Sequence, residues 1–241
     1  MGLNMGLNMG LNLAIVGYGK MGHLIEQLAP DCHFTVTAKA DRTSEITAAA
    51  FAGVDVAIDF STAEAVIPNA QAIAGLGVDL VVGTTGWLDR INDLQAIVAP
   101  AGIGCVWGPN FSIGVAIFSR LAAEAARLMH GHADYEAFAW EAHHSAKKDA
   151  PSGTMLKLLD DMRHAGYAQP VDVASTRAGK IPGTHTIGFD SAADTITLTH
   201  TARSREGFAR GALKAAQWVH GRHGFYEFSD ILFQSGDSSC S

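Results

Sequence analysis

The sequence predicts an α/β fold, an N-terminal parallel sheet followed by a second domain built on a more open sheet. Three observations carry this. Short β-branched apolar runs alternate with amphipathic helical stretches over roughly the first half, the pattern of right-handed βαβ crossovers. Each of those runs ends in Gly, Ser, Thr or Asn, at the strand end where open α/β sheets bind ligands. From Ile113 onward the texture changes to an Ala-rich helix and to segments with period-2 alternation.

The elements follow in order. Leu11–Val16 reads as the first strand and runs into Gly17-Tyr18-Gly19-Lys20-Met21-Gly22. Met21, Leu24, Ile25 and Leu28 have helical spacing, and Pro30 stops that helix. His33–Thr37 is a second strand, and Thr43–Ala52 is expected to be helical with Ser/Thr caps. Val54–Phe60, Val78–Val82 and Gly104–Trp107 are further strands, with helices expected over Ala63–Leu76 and Leu88–Val98. In the second half, helices are expected over Val115–His130, Met155–Ala165 and Phe208–His220. Strands are expected over Tyr135–Ala142, Ala174–Arg177, His185–Phe189 and Thr195–Thr201. The expected domains are residues 1–112 with 205–241, and residues 113–204. Residues 1–10 belong to a threefold MGLN repeat, expected to be disordered and outside the fold.

Composition bounds the function. With 48% hydrophobic and 17% charged residues, the 241-residue chain can bury a sizeable core. A net charge of −7 argues against a broad basic face for nucleic acid. Cys32, Cys105 and Cys240 stand far apart, which fits a reducing compartment and offers no thiolate metal site. No apolar run approaches the ~20 residues of a membrane span, and no secretory signal is expected from the opening residues. The expectation is a cytoplasmic protein without membrane, nucleic-acid or metal partners.

Gly17, Gly19 and Gly22 form G-x-G-x-x-G between a strand and a helix, the context that makes this pattern credible. The first glycine permits a tight turn, the second a close approach of a pyrophosphate, and the third close helix–strand packing. The plain alternative is a tight turn without a ligand. About 20 residues on, Lys39 is the expected end-of-strand residue, with Arg42 behind it. A cation there favours a 2′-phosphate, so the reading is NADPH or NADH with a lean to NADPH. Under the alternative, Asp41 holds the ribose and Lys39 is a solvated charge.

Residues 143–154 read HHSAKKDAPSGT. Ser152, Gly153 and Thr154 enter a helix and offer N–H and hydroxyl donors to an anion. Lys147 adds a charge for a carboxylate, and a His can deliver a proton near neutral pH. Adjacent His residues point in different directions and no His-x-x-x-His accompanies them, which disfavours zinc. The bland reading is a polar loop with a helix cap.

Residues 141–154, with Glu141-Ala142-His143-His144, Lys147 and Asp149–Thr154, resemble the signature of the 4-hydroxy-tetrahydrodipicolinate (dihydrodipicolinate) reductase family. Gly17–Gly22, Ile58–Ser61, Gly83–Gly86, Pro109–Val115, Arg177–Gly179 and Pro182–His185 resemble family blocks in family order, covering Leu11 to Phe233. The resemblance implies a Rossmann-type domain completed by the C-terminal helix. It also implies a mixed-sheet α+β domain that binds a small dicarboxylate and builds a homotetramer. It implies that His143 and Lys147 are the catalytic acid pair and that His144, Gly153 and Thr154 hold substrate. Nucleotide contacts would fall on Gly17, Tyr18, Gly19, Lys20, Met21 and Gly22, on Gly83, Thr84 and Thr85, and on Pro109, Asn110 and Phe111. Two departures bear on the cofactor. Lys39 stands where many members have an acidic residue, and Thr43–Val54 is short.

Two other classes of protein share parts of this pattern. A semialdehyde-type dehydrogenase needs a nucleophilic Cys in the second domain, where this chain has none. A nucleotide-sensing regulator needs a DNA-binding module, for which no basic segment remains, and another dehydrogenase of a small dicarboxylate or amino acid stays as the alternative.

Overall fold

The computed structural model describes residues 10–233. These fall into two compact units, one of residues up to Phe111 together with those from Phe208, the other Ser112–Gly207.

The first unit is a six-stranded sheet. Its strands are β1 (Leu11–Val16), β2 (Phe34–Ala40), β3 (Val56–Asp59), β4 (Asp79–Val82), β5 (Gly104–Trp107) and, late in the chain, β10 (Gly224–Glu227). Their order is β10-β5-β4-β3-β1-β2, with every neighbouring pair parallel. All the carboxyl ends therefore lie on one edge. The order reverses around β1, which is flanked by β2 and β3, and the Gly17–Gly22 turn leaves the sheet there. That is a topological switch point.

β3 and β4 are buried at every position, as expected for short apolar strands covered on both faces. The helices are α1 (Lys20–Leu28), α2 (Val66–Gly75), α3 (Ile91–Ala101) and α6 (Glu206–Val219), most of the last lying in this unit. α1 buries Gly22, Ile25 and Leu28, three of the positions on one helical face. The strand β10 and the short helix α7 (Phe228–Ile231) were not anticipated from the sequence.

One expected element is absent. Thr43–Ala52 is not helical; its residues form turns and irregular chain. The Asp41 carboxylate accepts from the Thr43 N–H, the Thr43 hydroxyl and the Ser44 hydroxyl, at 2.8–2.9 Å. This local Asx-type bonding competes with helical bonding in a segment rich in Thr and Ser.

The second unit holds α4 (Ile113–Met129), β6 (Glu136–His143), α5 (Gly153–His164), β7 (Val171–Arg177), β8 (Thr184–Asp190) and β9 (Thr195–Thr201). Its sheet order is β7-β6-β8-β9; β7 runs parallel to β6, and β8 and β9 are antiparallel, so the sheet is mixed. Phe118, Ala122 and Ala126 of α4 and Met155, Leu158 and Met162 of α5 cover one face, with Ile187 and Phe189 below them. The alternating burial of β7 and β9, with Trp140 exposed on the side opposite Ile187 and Phe189, leaves the other face open. No helix among the described residues is long and apolar enough to cross a membrane.

Asp79 closes the first unit. Its carboxylate accepts from the Gly104 N–H at 2.8 Å and the Gly221 N–H at 2.9 Å, tying β4 to the start of β5 and to the end of α6. Asp79→Ala leaves both donors unmet and is expected to cost about 2–4 kcal/mol in urea unfolding. Asp79→Asn, which keeps one acceptor, is expected to cost less. Equal stability of wild type and Asp79→Ala contradicts this account.

Candidate active site

Two groups of residues concern function, one in each unit. In the first, Gly17 has φ +83°, a conformation that favours glycine, and a Cβ there would lie 2.4–2.5 Å from the Phe60 carbonyl and the Ser61 nitrogen. A Cβ on Gly19 would meet nothing within 4 Å. Thus Gly17 is demanded by the fold itself, while the space over Gly19 is free for a ligand. α1 follows with no acidic residue in its first turn and no side-chain cap, which leaves its positive end available to an anion. Lys20 and Met21 are the first two residues of that helix.

Asp59, at the end of β3 and 1% exposed, organises this edge. It accepts from the Ser61 N–H and hydroxyl, from the Thr84 hydroxyl at 2.8 Å, and from the Asn69 amide. Thr84 is therefore committed to the protein, and its carbonyl accepts from the Trp87 indole. Gly83 packs on the Phe60 ring and Thr85 is exposed. After β5, Pro109 is exposed and Asn110 partly so. Phe111 is 2% exposed, its ring 4.6 Å from that of Phe228, so that side chain is a core anchor. Lys39 lies near the end of β2. It pairs with Glu26 of α1 and lies 4.8 Å over the Tyr18 ring, whose hydroxyl also donates to Glu26. Lys39 is not a freely solvated charge.

In the second unit, strand register assembles the site. Glu141 of β6 stands opposite Ser175 of β7 and His185 of β8, and His143 stands opposite Arg177. Glu141 is fully buried. It accepts from the Ser152 N–H at 3.0 Å, the Ser175 hydroxyl at 2.9 Å and the Arg177 guanidinium at 2.6 Å. Burial pushes its carboxyl up, but these donors outweigh it and hold it at about 2. Its Oε2 lies 3.7 Å from His143 Nδ1 and 3.6 Å from His185 Nε2. The two imidazoles meet edge to face at 5.0 Å. Burial lowers both, His185 to about 4 with the neighbouring His143 adding to the effect.

The segment 144–152 leaves β6 and returns to α5. Ser145 N–H donates to the Gly179 carbonyl and Lys147 N–H to the His144 carbonyl, which shapes the turn. His144 is half-buried, next to the buried His143. The Lys147 ammonium pairs with Asp149 at 2.8 Å, and Asp149 is lowered by that ammonium first, with the Gly153 N–H contributing. Ser152 caps α5 through the Met155 N–H and lies 3.1 Å from His185 Nε2. Its backbone N–H and its hydroxyl are thus engaged within the protein. Glu141, His143 and His185 bring three donor atoms within 4.8 Å of one another. The carboxylate already accepts from Arg177, Ser175 and Ser152.

Glu141, Arg177 and His185 lay inside recognised blocks of the sequence but carried no assigned role. No local spacing marks them, because they meet only through strand pairing.

A doubly wound sheet with a glycine turn at its switch point, and a separate unit carrying a His/Lys cluster at a helix N-terminus, define a pyridine-nucleotide-dependent oxidoreductase. Sequence-family models described as "Dihydrodipicolinate reductase" match residues 11–111 (N-terminus) and 114–232 (C-terminus). A 4-hydroxy-tetrahydrodipicolinate reductase from Christiangramia forsetii is 34% identical over 91% of this chain and 97% of that protein. One from Myxococcus xanthus is 40% identical over 75% of this chain and 73% of its own. The chain belongs to the dihydrodipicolinate reductase family. A solved structure, dipicolinate-bound dihydrodipicolinate reductase from Paenisporosarcina sp. TG-14, superposes with a TM-score of 0.73 at 22% identity, covering 92% of this chain and all of that one. An amine dehydrogenase from Mycobacterium smegmatis shares the fold at a TM-score of 0.55, with 9% identity over 91% of this chain and 95% of that one.

The buried groups set the acid response of the second unit. His185 stays neutral in the folded protein down to about pH 4, whereas the unfolded imidazole takes a proton below its ordinary 6.5. Stability is therefore expected to fall as pH drops from about 6.5 toward 4. Glu141 remains ionised when folded to about pH 2, against 4.5 unfolded, which adds a second loss between those values. Urea midpoints measured from pH 7 to pH 3 test this. His185→Gln is expected to flatten the first stage only, and a wild-type midpoint independent of pH contradicts the assignment.

Proposed function

We propose that the chain reduces 4-hydroxy-tetrahydrodipicolinate to tetrahydrodipicolinate with NADPH or NADH, in lysine and diaminopimelate biosynthesis. The observation that carries this reading is His143 and Lys147 beside the N-terminus of α5, a cationic, proton-bearing corner on an acidic protein. The family names, and the dipicolinate bound to the related structure, support a small planar dicarboxylate as the occupant. Gly17, the free space over Gly19 and the uncapped end of α1 support a dinucleotide on the first unit.

In this reading Gly17–Gly22 and the N-terminus of α1 cradle the pyrophosphate, and Gly83–Thr85 and Pro109–Phe111 border the cofactor through backbone groups. When bound, the reduced nicotinamide supplies a hydride. Lys147 and the Gly153 and Thr154 end of α5 hold one carboxylate, which must displace Asp149 from Lys147, and His144 supports the second. The substrate loses its 4-hydroxyl as water: the C–O bond breaks with a proton from the His143/Lys147 pair, and a neighbouring ring carbon gives its proton back to the pair as the C=C bond forms. Hydride addition forms the new C–H bond, and His143 returns a proton to the electron-rich ring. The negative charge of the dicarboxylate favours the protonated imidazole that burial alone disfavours.

NADPH is the favoured cofactor because Lys39 stands near the end of β2, though Glu26 offsets its charge. Homotetramer formation is part of the proposal, supported by the open sheet face carrying Trp140. Cytoplasmic residence goes with it.

Turnover of the substrate, generated in situ by the preceding step of the pathway, tests the reading with each cofactor. Lys147→Ala is expected to lower kcat by ~10²–10⁴-fold with nucleotide affinity unchanged. Near-wild-type turnover removes Lys147 from the reaction. Lys39→Glu is expected to lower the preference for NADPH over NADH by ~10–100-fold, less in high salt. An unchanged ratio returns the ribose to Asp41 or to the backbone.

A further inference from the structure

The most heavily buried charge in the second unit belongs to a residue with no role in the reading above. Glu141 is fully buried on a strand, between residues that reach it from three other segments. Ser152 comes from the α5 cap, Ser175 and Arg177 from β7, and His185 from β8. Replacing a buried, saturated ion pair by packed apolar groups is often neutral or stabilising, so stability alone is a weak reason for a carboxylate here. Its surroundings point elsewhere. His143 Nδ1 and His185 Nδ1 are buried without hydrogen-bond partners among the described residues. At 3.7 Å, Glu141 Oε2 is beyond hydrogen-bonding distance of His143 Nδ1 in this state. A proton on that nitrogen turns the pair into an ion pair.

We propose that Glu141 is the positioning residue of the proton-donating centre: it fixes the Ser152 cap of the substrate-binding helix and supplies the counter-charge for protonated His143. The proposal rests on the reading of His143 as proton donor. One carboxylate then links two functions. Oε1 is held by Ser175 and Arg177, and the same Arg177 nitrogen donates to the Asp149 carbonyl at 2.5 Å, which pins the 144–152 segment. Oε2 faces the two imidazoles. No proton need pass to Glu141 itself, whose donors keep it ionised.

The charges facing His143 are Glu141 on its own strand, Lys147 and Asp149 on the following segment, Arg177 on β7 and the His185 ring on β8. His200 of β9 acts on His185. Glu141 and Asp149 favour the imidazolium, while burial, Lys147 and Arg177 oppose it. Neutralising Glu141 removes an upward influence, so the His143 titration must move to lower pH.

The full-length Glu141→Gln and Glu141→Asp variants test this. The readouts are the imidazole NMR titration of His143, the pH profile of kcat, and binding of dipicolinate and of NADPH. Glu141→Gln is expected to lower the His143 midpoint by about one pH unit and to reduce kcat by ~10–100-fold. Its acidic limb should shift the same way, with NADPH affinity within about twofold of wild type. Glu141→Asp keeps the charge but withdraws it by one methylene, so the His143 midpoint is expected to recover while dipicolinate affinity stays weakened through the loosened Ser152 cap. An unmoved His143 midpoint and unchanged kcat in folded Glu141→Gln overturn the proposal. Should Glu141→Gln not fold, wild-type dipicolinate affinity and kcat in Glu141→Asp overturn it. Failure of the wild type to reduce the substrate counts against the proposed function alone, because the NMR midpoint still decides the role of Glu141.

Discussion

A carboxylate removed from water must be surrounded by donors, and this chain uses that requirement to build its loops. Asp59 at the end of β3 draws in Ser61, Thr84 and Asn69. Glu141 near the end of β6 draws in Ser152, Ser175 and Arg177. The donors come from strands, helices and connecting segments alike, and each carboxylate holds together residues far apart in sequence. The glycine turn depends on the first of these centres, because Gly17 packs against the Phe60–Ser61 backbone that Asp59 orders.

The second centre explains how an acidic protein can present a site for a dianion. Its positive groups are few, and they are localised by short-range geometry: Arg177 on Glu141, Lys147 on Asp149, and the amide end of α5. Arg177 is neutralised in place and serves architecture. Lys147 is held by a half-exposed partner that a ligand carboxylate can replace, so the same ion-pair chemistry is structural at one position and exchangeable at the next.

Much of this was legible in the sequence. Leu11–Val16, Gly104–Trp107 and Thr195–Thr201 are strands over the residues that their patterns marked, short apolar or alternating runs beside turn residues. The glycine turn and the Ser152 cap were legible because their physics is local. Thr43–Ala52 misled because its Ser and Thr residues offered helix caps, while Asp41, just outside the window, captured the Thr43 and Ser44 donors. β10 is four residues long and gains its partner only from β5, more than a hundred residues earlier. Glu141, Arg177 and His185 were read as parts of separate blocks, because the register 141 to 175 and 141 to 185 exists only in the folded sheet.

In the proposed function this chain moves a hydride from a nicotinamide to a planar dicarboxylate ring while His143 and Lys147 manage protons. Mass spectrometry of the product after a single turnover with NADPH deuterated at the transferable position measures it directly. The account predicts one deuterium in tetrahydrodipicolinate, carried on carbon and retained in water. Product without label, or no product from folded protein that binds NADPH, contradicts it.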